Sequence, residues 1–266
     1  MKIIGEKING TRKRVAQAIT ERNADFIKEL AQKQAEAGAA WLDVNAGTHP
    51  DREADDLIWL VETVQAVVDT PLCLDSANPH ALAAAITAVN KTPMINSISA
   101  EPERIEGILP LVAEHGCQVI ALAMAAKKIP ETVEGRVVVI EELIEKTRSA
   151  GVPDKNVYVD PLAMTISTNI QSAIIVCDTI RAIHEVYPEF HFTMGLSNIS
   201  FGLPARSYIN RAFLTLAMAA GLDSAILDPL DRELQATILA AQLVLGQDRH
   251  CLKYTRAYRA GVFSSS

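Results

Sequence analysis

Short apolar runs alternate with stretches of helically spaced apolar residues along this chain, and the alternation repeats eight times. The runs that read as strands are 2–4, 41–44, 72–74, 94–96, 119–122, 157–159, 192–196 and 224–226. Between them lie helical stripes: Leu57, Leu60, Val61 and Val64 form one. Ile209, Phe213, Leu216 and Ala220 form another, and Leu234, Ile238, Ala241 and Leu245 a third. Strands that alternate with helices pair in parallel, because each return crossover needs a helix to cover the sheet. Eight such units predict an α/β fold of the (β/α)₈ TIM-barrel type. An open doubly wound sheet is the alternative, and it carries a glycine-rich first turn. Here that turn reads Gly5-Glu6-Lys7-Ile8-Asn9-Gly10, without GxGxxG, and no GKS or GKT loop occurs.

The length of 266 residues suits one closed barrel, and no linker or shift in composition divides it. A single domain over 1–266 is predicted, with disorder confined to the last few residues. Hydrophobic residues make up 49% and charged residues 21%, enough for a large core. A net charge of −7 and a pI near 5.4 argue against a nucleic-acid surface. No apolar run approaches the ~20 residues of a spanning helix. Met1-Lys2-Ile3-Ile4-Gly5 does not read as a signal peptide, so no membrane contact and a cytoplasmic location are expected. Cys73, Cys117, Cys177 and Cys251 are scattered without a CxxC pair, so buried free thiols and no metal site are expected. The basic tail from Arg249 to Arg256 reads as a solvated helix end.

Barrel enzymes place their chemistry at the C-terminal ends of strands. The residues there are Glu6, Asp43 with Asn45, Asp75, Asn96, Asp160, Asn198 and Asp228. Any one of them has an ordinary explanation as the N-cap of the next helix, but Ser76, Asn78 and Ser97 are better placed for capping. As a set they line a pocket rich in carboxylates and amides and poor in cations. Phosphate would want Arg or Lys. Paired Asp and Asn suit a ring that presents adjacent N–H donors and a carbonyl, since a carboxylate accepts two parallel hydrogen bonds. The 2-amino-4-oxo edge of a pterin is such a ring; composition alone leaves other heterocycles open.

Six motifs in order narrow the choice: Ile4-Gly5-Glu6-Lys7-Ile8-Asn9-Gly10, Leu42-Asp43-Val44-Asn45, Leu74-Asp75-Ser76, Met94-Ile95-Asn96-Ser97, Asp160-Pro161-Leu162 and Gly195-Leu196-Ser197-Asn198-Ile199-Ser200. Together they resemble the pterin-binding barrel superfamily, and within it the methyltetrahydrofolate–corrinoid protein methyltransferases. The resemblance implies that Asp75, Asn96 and Asp160 hold the pterin edge and that Asn198 reaches the N5 region. It places Glu6, Asp43 and Asn45 beside them with less definite roles. Asn198, Asp75 and Asp160 are the catalytic candidates.

The implied reaction moves a methyl group between N5 of tetrahydrofolate and the cobalt of a corrinoid, in a direction the residues leave open. Such an SN2 transfer requires no enzyme nucleophile. No DxHxxG corrinoid motif occurs, so the corrinoid is expected on a separate protein docked over the mouth, or as free methylcobalamin. The segments 127–130, 163–166 and 201–204 are candidates for a lid or docking surface, or for ordinary variable loops. A homodimer is expected from the resemblance alone. Dihydropteroate synthases, the rival within the superfamily, need a lysine in a Ser-Arg-Lys motif where this chain has Ser197-Asn198-Ile199, with no basic residue until Arg206. A non-catalytic folate-binding protein is the remaining alternative.

Overall fold

The computed structural model describes residues 1–126 and 128–263. Eight strands alternate with helices: β1 (Lys2–Asn9), α1 (Lys13–Glu21), α2 (Ala24–Glu36), β2 (Trp41–Asn45), α3 (Pro50–Gln65), β3 (Leu72–Asp75), α4 (Pro79–Ile86), β4 (Met94–Ile98) and α5 (Pro102–His115). There follow β5 (Gln118–Leu122), α6 (Val133–Ser149), β6 (Val157–Asp160), α7 (Ser172–Val186), β7 (His191–Phe192), α8 (Arg206–Ala220), β8 (Ser224–Leu227), α9 (Arg232–Val244) and α10 (Leu252–Arg259). Every ladder is parallel, in the order β7-β6-β5-β4-β3-β2-β1-β8. A bridge from Gly195 to Ile226 closes the ring. The helices cover the outside, as a (β/α)₈ barrel requires.

The two-residue period of each strand sorts side chains between inside and outside. One face of each strand, with Leu42, Val44, Leu74, Val119 and Val159, joins the helices in the main apolar cluster. The opposite face carries Ile4, Trp41, Cys73, Met94, Ile120 and Tyr158, which pack together as a plug inside the barrel. Full burial of a side chain such as Ile120 contributes about 2 kcal/mol. Two residues further along the same faces come Glu6, Asp43, Asp75, Asn96 and Asp160. The plug thus forms the floor beneath a polar layer, and strand alternation puts it there.

Local signals start the helices where the loops need them. Pro50, Pro79 and Pro102 open α3, α4 and α5, and the Asn78 side chain accepts from His80 N–H at 3.0 Å as N-cap of α4. Gly10 is required where the first two loops meet, because a Cβ there would lie 1.8 Å from the Ala46 carbonyl oxygen.

Most strand ends shift by a residue or two from the sequence reading, and β1, β7 and the outer faces of α8 and α9 differ more. β1 runs on to Asn9, with an irregularity between Gly5 and Ile8, because Ile8 is buried opposite Val44. β7 stops at Phe192, and Asn198 lies on a 3₁₀ turn, Leu196–Ser200, rather than at the strand end. Leu216 is 52% exposed; α8 instead buries Phe213, Leu214, Ala217, Met218 and Ala220. Leu245 is also exposed, falling at the end of α9. Cys73, Cys117 and Cys177 are buried thiols, whereas Cys251 is exposed at the start of α10. α10 carries Arg256 and Arg259 in its last turn, as the basic tail suggested. The final residues 264–266 lie outside the described ones, as does Lys127. No helix among the described residues is long and apolar enough to cross a membrane.

Candidate functional site

The polar layer is built around a pair of carboxyls. Asp43, 2% exposed, lies beneath the mouth and accepts from Asn96 Nδ2 at 3.2 Å. Burial pushes its pKa well up, and the neighbouring Asp75 charge pushes it further. Asp75 is half-buried and raised to about 6, chiefly by burial, with hydrogen bonds from Asn45 and Asp43 holding it from rising further. Two carboxylates this close do not both ionise in a dry site. Asp43 is the deeper of the two and the more strongly raised, so the proton favours Asp43 and the charge favours Asp75. Asn45 gives its amide N–H to Asp75, while its Oδ1 is buried without a partner among the described residues.

Asp160 forms the next part of the wall. It is 6% exposed, its Oδ1 accepts from Leu162 N–H at 2.7 Å, and burial raises its pKa to about 7. Arg136, from α6, lies behind it and draws that pKa down. The Arg136 guanidinium is itself buried, donating to the carbonyls of Pro161 at 2.7 Å and Leu162 at 3.0 Å. It holds the loop that follows β6.

Asn198 is exposed on its 3₁₀ turn, with its amide nitrogen against Gly195. A Cβ at Gly195 would come within 3.0 Å of that nitrogen, so glycine lets the amide lie over the strand end. Arg206 fixes the turn from the start of α8: Nη2 donates to Ser197 O at 2.6 Å and Nε to Ser200 Oγ at 3.0 Å. Across the mouth, Glu6 accepts from Arg12 Nη2 at 2.5 Å, and Lys7 Nζ donates to Asp228 Oδ2 at 2.5 Å. Burial raises the Glu6 pKa and Arg12 opposes the rise.

This donor set fits a flat heterocycle with an amidine-like N–H edge. Asp75 and Asp160 are charged or readily ionised acceptors, Asn96 offers both a donor and an acceptor, and the Asn45 oxygen has an unspent lone pair. The profile of the family described as pterin binding enzyme matches residues 5–228. The chain belongs to this family. Its relatives include the methylcorrinoid:tetrahydrofolate methyltransferase of Eubacterium limosum, 41% identical over 98% of this chain and 97% of that protein. The methionine synthase of Mycobacterium leprae is 34% identical over 84% of this chain, which spans only 20% of that longer protein. Among solved structures, the dihydropteroate synthase of Yersinia pestis aligns with a TM-score of 0.69 over 92% of this chain and 93% of its own, at 18% identity. A likeness that distant speaks for the barrel alone.

The fold brings Asp43, Asn45, Asp75 and Asn96 into one hydrogen-bonded group and sets Asp160, Glu6 and Asn198 on neighbouring strands and loops of the same rim. Two features escaped sequence reasoning. The mouth is not poor in cations: Lys7, Arg12, Arg104 and Arg136 stand around it, three of them paired to carboxylates and the fourth to carbonyls. Arg104 and Arg136 come from helix positions that look like solvated faces. Ser76 and Ser97 also differ from the capping expectation. Ser76 Oγ donates to Glu53 at 2.5 Å and accepts from Asn78 N–H, and α5 starts after Glu101, not Ser97.

Proposed function

We propose that this enzyme transfers a methyl group between a corrinoid and N5 of tetrahydrofolate, with the methylated corrinoid as donor. The near-full-length match to a methylcorrinoid:tetrahydrofolate methyltransferase carries this reading and its direction. The polar layer supports it chemically. Ionised Asp75 and Asp160 accept the pterin ring N–H groups, Asn96 adds a polar contact beside them, and the ring lies in the mouth above the apolar plug. Asp43 and Asn45 hold Asp75 and Asn96 in place, and Glu6 stands at the same rim, paired to Arg12.

In the forward step the N5 lone pair attacks the methyl carbon and the Co–C bond breaks with its electron pair left on cobalt. The N5 proton is then lost to solvent. Asn198 is the group we assign to N5, where a carboxamide hydrogen bond stabilises the charge that develops on nitrogen during transfer. Water linked to Asp75 or Asp160 relays the proton. Alignment of nitrogen, methyl and cobalt supplies much of the acceleration. The corrinoid arrives on a separate protein. Its seat is the rim formed by the sixth and seventh loops, which are tied together by Thr165 Oγ1 donating to Phe201 O at 2.7 Å. Met164, Ile170, Phe201 and Tyr208 expose apolar surface there. A homodimer in the cytoplasm is part of the same reading.

Anaerobic mixing of methylcobalamin with tetrahydrofolate, followed by corrin absorbance, tests the reaction. Turnover by the natural chain is expected. Asn198→Ala should slow transfer about a hundredfold, as loss of one transition-state hydrogen bond does, while changing folate affinity far less. Equal losses in rate and affinity would remove the role given to Asn198. Strong folate binding without turnover, even with corrinoid proteins, would favour a non-catalytic folate binder.

A further inference from the structure

Beside the mouth, where β1 leads into α1, an open groove of about 280 Å³ lies between α1 and α2. Its apolar part is made by Val15, Phe26 and Leu30, and its rim by Lys7, Arg12, Lys13 and Arg14. Four cations around one groove stand out in a chain of net charge −7. Two of them reach back to the mouth, Arg12 to Glu6 and Lys7 to Asp228, so the groove adjoins the polar layer. Lys13 and Arg14 are exposed and form no ion pair among the described residues. Glu29, the carboxylate whose field reaches Arg14, is already paired with Lys33. The Arg14 guanidinium lies 4.9 Å from the centre of the Phe26 ring, so cation and aromatic surface are presented together. The helix dipole does not call for three successive cations in Arg12-Lys13-Arg14, since the start of a helix favours acids.

We propose that this groove holds the arylglutamate arm of the folate, with the aromatic ring on Phe26 and Leu30 and the carboxylates toward Lys13 and Arg14. The assignment rests on the folate reading above. That arm is an aromatic amide ending in two carboxylates, and an apolar floor with a cationic rim matches both parts. A bare inorganic anion would leave the floor unused. The two ends of one ligand then meet opposite charges, carboxylates in the barrel for the pterin and cations in the groove for the arm, which fixes its orientation. Additional γ-linked glutamates extend along the same rim and strengthen binding.

The test is equilibrium binding of three ligands to the natural chain and to a Lys13→Glu, Arg14→Glu double variant. The ligands are tetrahydrofolate, its triglutamate form and 6-methyltetrahydropterin, which lacks the arm. Acids at the start of α1 favour the helix, and a thermal melt verifies the fold. The natural chain should bind tetrahydrofolate more tightly than the armless pterin, and the triglutamate more tightly still, with both advantages fading in high salt. The variant should lose about tenfold in tetrahydrofolate affinity, as expected when two facing charges are reversed, and keep its affinity for the armless pterin. Equal tetrahydrofolate affinity in the two proteins, or an equal loss for the armless pterin, would overturn the groove assignment. A natural chain that binds the armless pterin but gains nothing from the arm would overturn it too, leaving the folate reading intact. Binding of none of the three would overturn both.

Discussion

Among single residues, Asp75 and Asp160 carry the strongest tension. Burial raises them to about 6 and about 7, so near neutrality each is divided between protonated and ionised forms. In the free protein both have folded-state values above those of an exposed aspartate. Proton binding therefore favours the folded state, and their ionisation costs stability as pH rises from the unfolded value through about 6 and about 7. A ligand that presents N–H donors reverses this preference, because only the ionised carboxylate accepts parallel hydrogen bonds on both oxygens without presenting a donor of its own. Folate affinity should thus decline as pH falls through about 7 and more steeply below about 6. Calorimetry in buffers of different ionisation enthalpy should show protons released on binding near the Asp75 value. Affinity that stays level across this range would mean that the pterin meets these groups in their neutral form. The identity of these acids is readable from the sequence, since each follows an apolar strand residue by two positions. Their titration is not, because it depends on Asp43 beneath Asp75 and on Arg136 behind Asp160, groups brought in from elsewhere in the chain.

At the scale of elements, the strands and their polar ends were legible because a period of two is written directly into residues such as Trp41, Asp43 and Asn45. The seventh unit was not. Phe192 to Leu196 reads as one apolar run, yet the regular ladder ends at Phe192, Gly195 keeps a single bridge to β8, and the chain then turns through Leu196–Ser200. What holds that turn is distant side-chain bonding, above all from Arg206 to Ser197 O and Ser200 Oγ, and Ser200 Oγ donates in turn to Asn210 Oδ1 at 2.7 Å. No periodicity signals such contacts. On the role proposed for Asn198, Arg206 would be a positioning residue, acting through the turn that carries it. Arg206→Gln should lower the methyl-transfer rate about tenfold, since small misplacements of a reacting group are costly, with little change in folate KM. Arg206→Lys keeps the charge but not the two-pronged geometry, and should fall between. Loss of affinity with unchanged rate in both variants would place Arg206 in ligand binding instead.

The whole barrel divides its tasks between its two ends, and the N-terminal end is where the ring is weakest. β7 contributes only His191 and Phe192, paired to Tyr158 and Val159 on one side. Toward β8 the backbone closure is limited to the Gly195–Ile226 bridge, with Ile226 N–H donating to Met194 O at 2.9 Å. Asp223 makes good the shortfall below it. Its Oδ1 accepts from Phe192 N–H at 3.0 Å, its Oδ2 lies 2.5 Å from His191 Nδ1, and the next residue, Ser224, donates Oγ to Phe192 O at 3.0 Å. His191 also stacks on Tyr158, whose hydroxyl accepts from Lys2 Nζ at 3.2 Å, so the clasp reaches the plug that supports the polar layer. Asp223→Ala leaves the Phe192 N–H without its acceptor, and a buried donor without a partner costs about 1–3 kcal/mol. A lowered urea midpoint with an unchanged denaturant slope is the expected result, because the same surface is exposed on unfolding. Folate affinity of the folded variant should be preserved, since the lost bonds lie at the opposite end from Asp75 and Asp160. If affinity fell together with stability, the plug would be transmitting the strain of an open seam to the mouth, and the two ends of this barrel could not be treated as independent.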